Sequence, residues 1–318
     1  MKFLVILICL MINYLWLKDF DRFNDGWFFR FRCRVEDWAA NFVDKIPLGW
    51  LTAFVLIYAL PLALLILILF IASGSVFGLA TMMVHILVLL VAFDRTQPGQ
   101  LAKDFLEKFR GGDMAECIDF LKQEFYVTSL PDADDKDGIG KYFSKQLTYR
   151  SFERMFVLFF WYMCAGALGI LFSYISYQLR DSHKEQQLQK QVNFITGVIQ
   201  ILEWVPLRLL ALTFSLAGNF VQCFENVRAS FWRFSIETNN ADLLYGYANC
   251  AASGMVINNP LKESEEAEAQ DRESAEIKAI LGLLERSQAI WLSVLALIYN
   301  CWLIGSCYKG SFRLKTTI

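Results

Sequence analysis

The chain has 318 residues, of which 56% are hydrophobic and 19% charged, with a mean hydropathy of +0.37. A soluble domain runs at about 45–50% apolar and about 25% charged, so that class is excluded, along with disordered, collagenous and disulfide-rich secreted chains. Thirty basic side chains against 32 acidic ones give a net charge of −2, which leaves no nucleic-acid footprint. What remains is an integral membrane protein with sizeable polar loops.

In chain order, residues 1–17 are apolar after Lys2. No small-x-small cleavage site follows, so an uncleaved anchor or short first span is predicted. Residues 47–72 are a long apolar run, which at about 1.5 Å per residue crosses a hydrocarbon core of about 30 Å. After the break Ser73-Gly74-Ser75 a second run continues to Phe93, and the pair reads as a transmembrane hairpin. Residues 155–177 predict another span. Residues 194–217 are apolar but carry Glu203, Pro206 and Arg208, and they permit crossing, re-entry or an interfacial position. The last span is predicted at 288–307, with Trp291 and Trp302 toward its ends as interface anchors.

Orientation follows the basic residues in the loops. Segment 18–46 holds six Lys and Arg, segment 94–154 holds ten, and the break at 73–75 holds none. Both basic segments are therefore assigned to the cytoplasm and the hairpin tip to the outside. If 194–217 crosses, segment 218–287 is cytoplasmic; if not, it is external. The count favours crossing.

Among the polar segments, residues 99–125 read as a helical hairpin. Leu101, Phe105 and Phe109 form one apolar stripe, Gly111-Gly112 stops the first helix, and Asp113 with Glu116 has capping-box spacing. Met114, Cys117, Ile118, Leu121 and Phe125 form the second apolar face. Residues 127–145 read as a solvated linker rich in Asp, with Gly and Pro. Asp132 to Gly138 approaches a calcium loop, but Ala133 and Ser144 stand where its first and last acidic ligands belong. Gly138-Ile139-Gly140-Lys141 approaches a phosphate loop but lacks its first glycine and its Ser/Thr. Residues 262–278 are a charge run that suits a solvated helix leading into the last span. The eight cysteines form no CxxC pair and the two histidines no metal motif, so neither a disulfide framework nor a metal site is predicted.

Ionisable residues within apolar runs are functional candidates by default. Glu203-Trp204-Val205-Pro206-Leu207-Arg208 is the strongest case. Pro206 removes a backbone donor and predicts a break there. In an unbroken helix positions 203 and 208 lie about 140° apart, and a break lets them converge. The plainer alternative is a Glu–Arg pair that only closes the kink. Arg180 and Asp181 follow the span at 155–177 and read first as interface anchors. Asn239-Asn240 after Arg233 suits a turn or a helix cap. His85, alone in a span, is expected to hydrogen-bond to a neighbouring helix.

Several of these stretches together resemble the AmpE-like membrane proteins, and more distantly the CobD/CbiB-type adenosylcobinamide-phosphate synthases. They are Phe159-Phe160-Trp161-Tyr162 with Gly166 and Gly169, the run Glu203 to Leu209, and Ser230-Phe231-Trp232-Arg233 followed by Asn239-Asn240-Ala241-Asp242 and Gly254. The acidic motifs of the synthases are replaced here by Gln146 to Ser151 before the Phe-Phe span and by Tyr177 to Ser182 after it. The resemblance implies a non-synthase relative that keeps a ligand pocket.

The expected fold is thus all-α, a polytopic integral membrane protein with four to six spans and cytoplasmic helical subdomains. Its expected parts are 1–93 (anchor, basic loop and hairpin), 94–154 (cytoplasmic hairpin and linker) and 155–318 (membrane core). The expected function, from the resemblance, is an inner-membrane sensor or signalling modulator linked to cell-wall stress and beta-lactamase induction. The alternatives are an amide-forming synthase, which would use Mg-ATP, and a transporter. Ligand-binding candidates are Glu203, Arg208, Arg233, Asn239, Asn240, Arg180 and Asp181, with Pro206, Gly166 and Gly169 structural. No catalytic residue, metal or cofactor is expected. The expected partners are the lipid bilayer and a cell-wall-derived ligand or membrane protein.

Overall fold

The computed structural model describes residues 2–15, 26–43, 49–74, 78–93, 98–125, 130–132, 135–184, 189–218, 220–231, 239–256 and 274–298. Among these residues there is no strand. The helices are α1 (Lys2–Leu15), α2 (Gly26–Val43), α3 (Gly49–Ser73), α4 (Leu79–Ala92), α5 (Pro98–Gly111), α6 (Met114–Phe125), α7 (Lys136–Ser151), α8 (Leu158–Lys184), α9 (Gln189–Ala217), α10 (Phe220–Ser230) and α11 (Asn240–Val256), followed by α12 (Ser274–Ile298). A six-residue π-helix, Phe152–Val157, joins α7 to α8. Four helical stretches among the described residues are long and apolar enough to cross a membrane: Thr52–Ser73, Lys136–Asp181, Val192–Ala217 and Ser274–Ile298. The protein is an all-α membrane protein whose long apolar helices fit a polytopic architecture. The chain divides into two units, residues 1–97 with 151–207 and residues 98–150 with 208–318.

The first unit is built on the α3–α4 hairpin, against which α1, α2 and α8 pack. α3 is apolar all round. Phe70 is 77% exposed and Ile71 68%, a disposition that suits lipid and not water. On α1, Val5, Ile6 and Cys9 turn inward while Leu4, Leu7 and Met11 stay exposed. On α2, Phe28, Arg32 and Val35 face inward. Arg32 pairs with Glu36 at 3.4 Å and lies 5.2 Å from the Phe29 ring. His85 shares a hydrogen bond of 3.1 Å with the Tyr162 hydroxyl, as expected for a lone histidine in an apolar helix.

Residues 155–177 do not form one straight span. Gly166 has φ 66 and ψ −146, a conformation open essentially to glycine alone, and α8 reverses there. The reversal is required by the contacts it makes. Glu153 and Arg180 touch although they are 27 positions apart, which a straight helix would separate by about 40 Å. A Cβ on Gly169 would strike the carbonyl of Trp161 on the opposite arm, so glycine lets the arms close. The segment is therefore a helical hairpin whose two arms pack on each other. At the turn, the freed carbonyl of Met163 accepts from the Lys2 ammonium at 2.9 Å.

The second unit has a core formed by α5, α6, α7 and α12. Leu101, Phe105 and Phe109 of α5 meet Met114, Cys117 and Leu121 of α6, as the apolar stripes predict. Gly112 at φ 78 makes the turn. Asp113 caps α6 by accepting from the Glu116 backbone N–H at 3.1 Å. The Glu116 carboxylate does not complete a capping box in these contacts; it pairs with Lys108.

Two expectations are corrected here. Residues 136–145, read as linker, are the first turns of α7. Asp135 caps that helix through Gly138 N–H at 2.9 Å. Ile139, Phe143 and Leu147 then bury one face at four-residue spacing. Phe143 stacks on Phe105 with ring centroids 3.8 Å apart. That burial outweighs the poor helix propensity of Gly138 and Gly140. The helix long and apolar enough to cross runs from Ser274 to Ile298, upstream of the span predicted at 288–307, because Ile277, Ile280, Leu283 and Leu284 extend a buried stripe into the helix expected to lead into it. Trp291, expected as an interface anchor, donates its indole N–H to the Thr213 hydroxyl at 3.0 Å. Trp302 and residues 262–273 of the charge run lie outside the described residues.

Candidate functional site

In the first unit the helical hairpin carries a chain of buried and half-buried polar groups. Glu153 sits in the π-helix with only 4% of its surface exposed. Such single-turn π segments recur at functional sites because they re-aim side chains within a helix. Arg180, on the returning arm, grips Glu153 with both terminal nitrogens; Nη1 bonds Oε1, and Nη2 bonds Oε2 at 3.1 Å. Arg180 Nε donates to Asp181 at 3.0 Å. The guanidinium lies 5.2 Å from the ring centroid of Tyr177, one turn earlier. Tyr177 then donates its hydroxyl to Glu203 Oε1 at 2.9 Å. Glu203 is fully buried on α9.

The geometry thus brings together three of the sequence candidates, Arg180, Asp181 and Glu203, through two residues that sequence reasoning missed. Glu153 was counted into the preceding loop and Tyr177 into the apolar span. A signal for Glu153 exists: it precedes Gly166 by thirteen residues, and Arg180 follows by fourteen. Opposite charges at nearly equal distances from a glycine in an apolar run are the pattern of a helical hairpin with a paired base.

Pro206 does not break α9, which stays helical from Gln189 to Ala217. This corrects the expected discontinuity. A proline within a helix leaves the carbonyl four residues earlier without its donor. That carbonyl belongs to Leu202, and the indole N–H of Trp161 takes the vacant place at 3.0 Å. The reversal of α8 at Gly166 carries Trp161 alongside α9. The discontinuity that was expected at Pro206 is at Gly166.

The remaining candidates belong to the second unit. Arg208 is 8% exposed and donates from Nε to the Phe231 carbonyl at 2.6 Å. Asn239 caps α11, its Oδ1 accepting from the Ala241 N–H at 3.1 Å. Asn240 is the first residue of that helix. Asp242, two residues on, pairs with Lys145 of α7. Arg233 lies outside the described residues. Among the described residues no group of His, Cys, Asp and Glu could hold a metal ion.

The family described as regulatory signalling modulator protein AmpE matches residues 19–243 of the chain. No curated protein and no solved structure matches it.

Proposed function

Because the chain belongs to the AmpE family of regulatory signalling modulators, we propose that it is a multi-pass protein of the bacterial inner membrane that acts in signalling of cell-wall stress and beta-lactamase induction. It works by binding a cell-wall-derived ligand or a membrane-protein partner, and it uses no cofactor. The observation that carries this reading is the link through Tyr177, whose ring lies beside Arg180 and whose hydroxyl serves Glu203. Buried charges inside a bilayer are costly and persist where they are paired and used. A binder that draws Arg180 away from Glu153, directly or through Asp181, would disturb the ring of Tyr177 and so its bond to Glu203. It shifts the balance of the two arrangements only as far as it prefers one of them.

The hairpin supports an assignment of compartments: Arg180 meets Glu153, which directly follows basic segment 94–154, and the Lys and Arg content of that segment favours the cytoplasm. The Lys145–Asp242 pair supports the same compartment for the first turn of α11. In this reading α9 does not cross the bilayer, in contrast to the crossing that the loop charges favour. Maleimide labelling of single cysteines at positions 181 and 242 in intact cells and in inverted vesicles checks it: both positions label only in inverted vesicles.

The functional test is a beta-lactamase induction reporter in a deletion strain carrying Tyr177→Phe, Glu203→Gln or Arg180→Lys, each at wild-type abundance in the membrane. Altered induction is expected for all three. Wild-type induction in all three would remove the site from the function. A thermal shift of the purified protein with Mg-ATP or a corrinoid precursor, and none with muropeptides, would return the synthase reading.

A further inference from the structure

Two cysteines that the site does not use face each other in the second unit. Cys223 of α10 donates from Sγ to the carbonyl of Tyr247, one turn before Cys250 on α11, at 3.6 Å. Asn226, one turn after Cys223, donates from Nδ2 to Cys250 Sγ at 3.3 Å. The two bonds set Cys223 and Cys250 against each other where α10 meets α11. The approach of these helices depends on Gly218, where a Cβ would collide with the backbone carbonyl of Ala251. Cys223 is fully buried and Cys250 partly exposed.

We propose that Cys223 and Cys250 form a reversible redox site that closes to a disulfide when a hydroperoxide reaches Cys250. The Cys250 thiolate attacks one peroxide oxygen. The O–O bond breaks, hydroxide leaves and takes up the thiol proton as water, and Cys250 becomes a sulfenic acid. The sulfur of Cys223 then attacks the sulfur of Cys250. The S–O bond breaks, the oxygen leaves as water with the proton of Cys223, and the S–S bond forms. Two thiols lose two electrons and two protons, and one hydrogen peroxide becomes two waters. Burial raises the Cys223 thiol above its ordinary range. Cys250, the partly exposed partner, therefore meets the oxidant and Cys223 resolves it.

The resting state of the pair rests on the compartment inferred above. Asp242 is on the same helix as Cys250, and its pairing with Lys145 puts both in the reducing cytoplasm. The thiols are then reduced at rest and close under oxidative challenge. The disulfide would tie α10 to α11, the helix that Asn239 caps and Asn240 begins. It also fixes the two ends between which Arg208 holds the Phe231 carbonyl. Oxidation would thereby freeze one group of candidate binding residues.

The test uses the full-length protein in membrane vesicles, with and without hydrogen peroxide. Free thiols are then blocked with N-ethylmaleimide and the digest is read by mass spectrometry. The expected result is a peptide linked through Cys223 and Cys250 that appears with peroxide, disappears with dithiothreitol and does not form in Cys250→Ser. A linked pair already present before peroxide would overturn the switch. So would a Cys250 carried on to sulfinic acid while Cys223 stays free. The wild-type measurement needs no variant to fold, and it does not use the induction reporter. Its failure is therefore distinct from failure of the signalling reading.

Discussion

The indole N–H of Trp161 donates to the carbonyl of Leu202, the one carbonyl of α9 that Pro206 deprives of its helical donor. The bond joins the α8 hairpin to α9 and explains how a proline sits in an unbroken helix. Trp161→Phe should cost about 1–3 kcal/mol, the penalty for leaving a buried acceptor unsatisfied. In a Pro206→Ala background, where the alanine N–H serves Leu202, the same change should cost only the difference in packing. Unfolding of the four proteins in detergent micelles gives the coupling energy. Simple additivity would show that the two residues do not compensate each other.

The paired base of the hairpin gives a second expectation. Arg180→Ala strands Glu153 in a buried position, which costs about 3–5 kcal/mol where a buried pair loses one member. Replacing both, as Glu153→Leu with Arg180→Met, should recover most of that loss. Arg180→Lys should fall between, because an ammonium lacks the two-pronged geometry with which Arg180 meets both carboxylate oxygens. Thermal stability of the purified variants ranks the series.

Tyr177→Phe removes a donor from the fully buried Glu203 and should destabilise by about 1.5–3 kcal/mol, the range for hydrogen bonds to charged groups. Glu203→Gln should be milder, since the amide oxygen can still accept from the Tyr177 hydroxyl. The reverse order would mean that Glu203 depends chiefly on its other contacts.

Glycine substitutions separate the turn from ordinary helix. Gly166→Ala should cost about 1–3 kcal/mol for its backbone conformation alone. Gly169→Ala should lower the yield of folded protein, because the obstacle is the backbone of Trp161 and cannot move aside. Gly246→Ala on α11, with open space around the new Cβ, should instead stabilise by about 0.5–1 kcal/mol. Gel-filtration profiles and melting temperatures of the three variants make the comparison.

Cys117 gives a pH dependence with a definite sign. Burial in the α5–α6 core, with Glu116 and Asp113 nearby, pushes its thiol up from 9.0 to about 11. Between those values the folded chain keeps a proton that the unfolded chain has released. Its contribution is complete below pH 9 and is lost as the pH rises toward about 11. The melting temperature of wild type should therefore fall more steeply over that window than that of Cys117→Ala. Parallel curves would show that other groups set the alkaline limit.

The α5–α6 hairpin was legible because its signals are local. Apolar spacing, the Gly111-Gly112 pair and the Asp113 cap all act within a few residues. The start of α7 was not legible, although Asp135 caps it. Its charged and glycine-containing turns are held by Phe105 and the rest of a core that lies elsewhere in the chain. The candidate site divides in the same way. Glu203, Arg180 and Asp181 stood out as charges in or beside apolar runs, whereas Glu153 and Tyr177 acquire a role only once α8 turns back.

The sequence by itself determined that this is a helical membrane protein, which apolar runs it would build on, and the resemblance to the AmpE-like proteins that the family match bears out. Composition and periodicity are enough for this, because the bilayer requires each segment to satisfy its own backbone hydrogen bonds. Only the tertiary structure decided where the helices break and which buried charges meet. Proline weakens a helix unless a distant side chain serves the freed carbonyl, and glycine permits a reversal without compelling one. Trp161 stabilised the first of these sites, and the Glu153–Arg180 pair closed the hairpin at the second.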